Sequence, residues 1–181
     1  METLTRTIIG GLIFTLAALA PRLHAQTTLE NKLKAAIVSK FPQFVEWPSA
    51  ALDGRTTVDV CVVRPDPFGA DLDELVADER LGDRKVTVRH VEHEPDLAGC
   101  QLLVIAGTLV PHRPLLERAA ALPILTVGDD PRFLDAGGVV RLRQVDGRMR
   151  FDVNADAARR AGLRISSQLL QLAVTVRGAD R

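Results

Sequence analysis

Residues 102–127 read LLVIAGTLVPHRPLLERAAALPILTV, and this stretch decides the fold class. Its first five residues are apolar without a break, as expected of a parallel strand covered on both faces. Residues 115–121 then carry Leu and Ala at helical spacing, and residues 124–127 return to a short apolar run. A strand, a helix and a strand in that order argue for parallel neighbours with a helix packed on the sheet. The same pattern extends upstream. Residues 58–63 are nearly all apolar and end at the turn signal Arg64-Pro65-Asp66-Pro67. Phe68-Gly69 and a polar helix over 70–78 follow, and residues 85–91 alternate as a second strand.

Downstream the pattern changes. Residues 139–145 and 148–153 flank Asp146-Gly147, a pair that tolerates the positive φ of a tight hairpin turn. Gly137-Gly138 supplies the backbone freedom to enter that hairpin. Asn154 is expected to cap a helix that runs to 161 and stops at Gly162. Ser166 opens a last amphipathic helix, with Ile165, Leu169, Leu172, Ala173 and Val176 as its buried stripe. The expected architecture is a three-layer α/β domain. Its mostly parallel, flavodoxin-like sheet carries a C-terminal antiparallel β-hairpin and has helices on both faces.

The first 25 residues read as a secretory leader. Arg6 and the terminal amine precede an apolar run over 8–20, Pro21 breaks it, and Ala25 offers a small residue for cleavage. About 13 apolar residues fall short of the roughly 20 needed to span a bilayer core. Residues 26–181 are then expected to form one domain, exported to the periplasm and not inserted in a membrane. Thr27 or Thr28 is expected to cap its first helix, whose stripe is Leu29, Leu33, Ala36, Ile37 and Phe41; Pro42 should end that helix.

Lys and Arg number 23, as do Asp and Glu; setting aside Arg6, Arg22 and Glu2 leaves 21 against 22, a net charge of −1. Such a chain has no global field to gather phosphates, so nucleic acid is not an expected partner. Arg141, Arg143, Arg148 and Arg150 alternate along the hairpin strands and read as a solvated face.

Catalytic signatures are sparse. The leader permits disulfides. Cys61 and Cys100 fall in strands that are neighbours in a flavodoxin-like order, so a bridge is expected, with two buried thiols as the alternative. His90 and His93 point to opposite faces of a strand end and show no metal-ligand spacing, so no metal or cofactor is expected. No GxxxxGK[ST], GxGxxG or Gly-x-Ser-x-Gly motif occurs, and Ser166-Ser167 reads as a cap. Asp66 and Phe68 follow the first strand, and Asp129 and Asp130 follow the fourth, where open α/β sheets place ligands. Turn and capping chemistry explains the same residues, with Asp130 starting a short helix through Phe133 and Leu134. Trp47-Pro48 is either a core plug with a turn or, if exposed, a partner anchor.

Taken in order, KAAIVSKFPQFVEWP, VDVCVVRPDPFG, GCQLLVIAG, LTVGDDPRF, AGGVVRL, RMRFDVN and AGLRISSQLLQLA resemble the YfiR family of small periplasmic proteins. The resemblance covers about residues 34–174. It implies a compact α/β fold that tends to dimerise, with Cys61 and Cys100 as its disulfide pair. It also implies a repressor that holds an inner-membrane diguanylate cyclase inactive through its periplasmic sensor domain, lowering cyclic-di-GMP and biofilm. The expected function is therefore a non-catalytic regulator, with Phe41, Phe44, Trp47 and the outer side of the last helix facing the partner. The alternative is a periplasmic small-molecule binding protein using Asp66, Phe68, Asp129 and Asp130.

Overall fold

The chain enters the fold through a long helix. In the computed structural model, which describes residues 20–92 and 96–178, α1 spans Ala20–Lys40. Most of the expected leader, residues 1–19, lies outside the described residues. Thr27 and Thr28 lie within α1 and not at its start, contrary to expectation, because the helix already begins at Ala20.

The expected stripe holds at the C-terminal end, where Ile37 packs against the core and Phe41, just past α1, is buried. Its start differs: Leu29 and Leu33 are 60% and 43% exposed, and Ala35 and Val38 of the neighbouring stripe face the sheet. Pro42 acts as expected: the α-helix ends at Lys40 and one 3₁₀ turn, Phe41–Phe44, follows.

The remaining elements follow in order: β1 (Val45–Glu46), α2 (Ser49–Leu52), β2 (Thr57–Val63), α3 (Ala70–Val76), β3 (Arg80–Leu81) and β4 (Arg84–Val91). After β5 (Cys100–Ile105) come α4 (Arg113–Ala120), β6 (Leu125–Gly128), β7 (Val140–Val145) and β8 (Arg148–Asn154). The chain ends with α5 (Ala155–Arg160), β9 (Arg164–Ile165), α6 (Ser167–Leu172) and β10 (Thr175–Arg177).

Eight of these strands form one sheet in the order β10-β8-β7-β6-β5-β2-β4-β3. From β4 through β2, β5 and β6 to β7 every pairing is parallel, which is the flavodoxin-like winding. β3 joins β4 and β8 joins β7 in antiparallel fashion. Asp146 and Gly147 both have positive φ, 51° and 72°, and make the tight turn of the β7–β8 hairpin. A second, two-stranded sheet pairs β1 with β9, so that Val45 lies opposite Ile165.

Alternation along β2 divides the core. Val60 and Val62 face Ala35, Val38, Phe41, Leu72 and Val76 of the α1 and α3 layer. Cys61 and Val63 face Leu115, Leu116 and Ala119 of α4 on the other side. A central parallel strand must be apolar toward both layers, and these residues are.

Two C-terminal expectations are corrected. Asn154 and Ser166 cap as expected, each side chain accepting from an amide three residues on. However, α6 stops at Leu172, and Val174, Thr175 and Val176 turn into β10 alongside β8. Their β-branched side chains suit a strand, and the free edge of β8 supplies the ladder. Of the expected stripe only Leu169 is deeply buried, and Leu172 is 57% exposed. Likewise, residues 131–137 form successive turns and no helix.

Cys61 and Cys100 are joined by a disulfide between β2 and β5, with Cα atoms 5.9 Å apart. The bond closes a sequence separation of 39 residues. Constraining the unfolded chain over such a loop is worth roughly 4 kcal/mol in the chain-entropy model. The Cys61→Ala/Cys100→Ala double variant should therefore lose about that much stability in urea unfolding, with the m-value read alongside the midpoint.

Candidate functional site

The C-terminal ends of β2 and β6 carry the four residues expected around a crevice. Asp66 follows β2, where one carboxylate oxygen accepts from the Phe68 amide at 2.8 Å and the other lies 3.2 Å from Nδ1 of His90. This is a local turn in which the side chain mimics a backbone acceptor. Phe68 is buried in the α1 and α3 layer, where its ring packs with Leu72 and Val76.

Asp129 and Asp130 follow β6 and have different tasks. Asp129 accepts from Nζ of Lys34 and from the Gly107 amide, both at 2.6 Å. Lys34 is buried and also lies 2.7 Å from Glu30 one helical turn earlier. Burial by itself disfavours its charge, but the carboxylates of Asp129 and Glu30 outweigh burial and hold its pKa above the usual 10.5. Lys34 therefore ties α1 over the crevice, and this ion pair explains why α1 presents that stripe inward.

Asp130 is buried and joins two loops. Its oxygens accept from the Leu109 amide at 2.9 Å and from the Arg132 amide at 2.8 Å. Those two amides, reinforced by the Arg132 guanidinium, hold its pKa below the usual 3.8. Asp130 thus stitches the loop after β5 to the turns after β6. Phe133, three residues on, fills the space between Gly128 and Gly138. A Cβ at either glycine would fall 2.4 or 2.2 Å from its ring. Gly138 is accordingly required by a close approach, whereas Gly137, at φ 95°, supplies the expected backbone freedom.

The aromatic residues expected at a partner surface are placed unequally. Phe41 is buried edge-on against Phe151, with ring centroids 5.5 Å apart. Trp47 is also buried, and its indole N–H donates to the Gln101 carbonyl at 3.2 Å. Trp47 is thus the core plug of the two sequence alternatives, and neither ring lies at the surface. Phe44 is half-buried. Its carbonyl accepts from the Ser166 amide at 2.9 Å, which sets Phe44 beside the start of α6. Two segments far apart in sequence are thereby brought together.

The arginines of the hairpin are not one solvated face. Arg141 and Arg143 both pair with Asp152, which is 1% exposed, Arg143 at 2.8 Å. Burial raises the Asp152 pKa, but the two guanidinium groups outweigh it and bring it below 3.8. Only Arg148 and Arg150 match the solvated reading. Arg89 is a contact the sequence did not foretell. Its guanidinium donates to the Cys61 and Cys100 sulfurs at 3.3 and 2.9 Å and to the Ala98 carbonyl at 3.0 Å.

His90 lies 3.5 Å from Asp73 as well as close to Asp66, while His93 lies outside the described residues. Among the described residues no group of three or more His, Cys, Asp or Glu side chains is arranged to hold a metal ion. The family model described as YfiR/HmsC-like matches residues 31–174 of the chain. No curated protein matches it.

The Asp130 stitch can be measured through its titration. Its pKa is lower folded than unfolded, so the stabilisation is complete above the unfolded value. It fades as pH falls through the folded value. Asp130→Asn should cost about 2 kcal/mol at neutral pH, since two charge-assisted bonds to buried amides are weakened. In urea unfolding the gap between wild type and variant should narrow once the pH drops below 3.8.

Proposed function

The chain belongs to the YfiR/HmsC-like family, and on that premise we propose that it is a non-catalytic periplasmic regulator of an inner-membrane diguanylate cyclase. It binds the sensor domain of the cyclase, holds the enzyme inactive and so lowers cyclic-di-GMP and biofilm formation. The observation that carries this proposal is the family match, which runs from within α1 to the residue before β10. The fate of the polar side chains supports it. Asp66, Asp129, Asp130 and Asp152 are each engaged by backbone amides, lysine, histidine or arginine in holding the fold.

Residues 1–25 act as the leader in this proposal, with cleavage after Ala25. Among the described residues no helix is long and apolar enough to cross a membrane. The partner surface centres on Phe44 and the outward side of α6, including Leu172, which the Ser166–Phe44 bond joins into one region. Self-association into a dimer is supported by exposed Leu29 and Leu33 on α1 and exposed Leu75 on α3.

Repression needs only differential affinity for the inactive cyclase; a coupling of about 2 kcal/mol suppresses activity tens-fold. Deleting the gene should raise intracellular cyclic-di-GMP, and restoring it should return the level to its starting value. An unchanged level with the protein expressed would overturn the regulatory role. On a restored copy, Leu172→Glu should relieve repression at least tenfold while leaving the thermal midpoint within a few degrees of wild type, and Phe44→Ala should relieve it too. Retained repression in both variants would move the partner surface elsewhere.

A further inference from the structure

A cavity of about 370 Å³ opens between the loop after β5 and the turns after β6, lined by Leu109, Val110, Arg113, Arg132, Asp135 and Ala136. It lies beyond the carboxyl ends of two parallel strands, where open α/β sheets hold ligands. Its volume falls at the small end of the range for small-molecule sites. The four residues that the sequence offered for ligand binding do not line it, although Asp130 builds its walls.

The lining joins an apolar floor to unused donors. Leu109 is buried, Ala136 is half-buried and Val110, on the lip, is 65% exposed. Arg113 contacts Glu117 at 3.3 Å and Arg132 contacts Asp130 at 3.4 Å, each through Nε. The terminal nitrogens of both guanidinium groups make no hydrogen bond among the described residues, and both side chains are largely exposed. The nearby carboxylates are engaged elsewhere. One oxygen of Asp135 is held by Arg177, and both oxygens of Asp130 accept backbone amides. What remains unmatched is a pair of planar donor forks, and the group that suits them is acceptor-only and planar.

The walls are also held before any ligand arrives. Asp130 joins the two loops, and the Phe133 ring, wedged between Gly128 and Gly138, fixes the turns that carry Arg132, Asp135 and Ala136. A site built this way loses little freedom on binding.

We propose that this cavity binds a small amphipathic carboxylate, with its apolar body against Leu109, Val110 and Ala136 and its carboxylate across Arg113 and Arg132. The proposal does not depend on the regulatory one, and either can fail alone. Calorimetric titration of the purified protein with octanoate and 3-phenylpropionate tests it, with octanol as the uncharged match. At least one acid should bind saturably, one per chain, and at least tenfold more tightly than octanol. Arg113→Gln/Arg132→Gln should weaken that binding tenfold or more while the thermal midpoint stays within a few degrees of wild type, and Val110→Asp should weaken it too. No saturable binding of either acid at millimolar concentration would overturn the proposal. So would octanol binding as well as octanoate, or full binding by the double arginine variant.

Discussion

The disulfide between Cys61 and Cys100 joins the two strands from which the sheet grows in opposite directions. From β2 the chain crosses to β4 on one side, returns to β5 on the other, and then adds β6, β7 and β8 outward. The β2–β5 seam is thus where the winding reverses, and loops from both strands diverge above it. Everything at the carboxyl end of the sheet depends on this seam: the Asp66 turn, the Lys34–Asp129 ion pair that lays α1 across it, and the loop stapled by Asp130.

Polar chemistry in this fold works as structure before it works as anything else. Lys34 and Asp152 are charged groups out of water, and each is held by two opposite charges. Pairs of this kind cost desolvation that only good geometry repays, and removing one partner leaves a buried charge unmatched. The Lys34 pairing specifies the angle at which α1 meets the sheet, and the Asp152 pairing pins β7 to β8 within the hairpin. Apolar contacts alone would leave that angle less defined, as the two adjacent apolar stripes of α1 illustrate.

That point also separates what the sequence discloses from what it conceals. Apolar runs and helical spacing disclose β2, β4, β5, β6 and α4 because those signals are local. Asp146-Gly147, Asn154 and Ser166 disclose the hairpin turn and two helix starts because one residue or dipeptide carries each signal. The inward stripe of α1 is concealed because the partner of Lys34 lies 95 residues away. The strand β10 is concealed because a helical spacing of Leu and Ala runs into it, and only the free edge of β8 selects the extended form. Around the candidate site, Asp130 was legible as a capping residue but not as a link between loops. The need for Gly138 appears only once the Phe133 ring is in place.

The ends of the large sheet have a consequence of another kind. Its outermost strands are β3, of two residues, and β10, of three, and Arg80 and Arg177 lie in them. A longer bare edge would present a row of unpaired amides and carbonyls to any other chain. Short charged edges deny such a template. A chain whose central strands are largely apolar thereby offers its own copies little edge on which to stack.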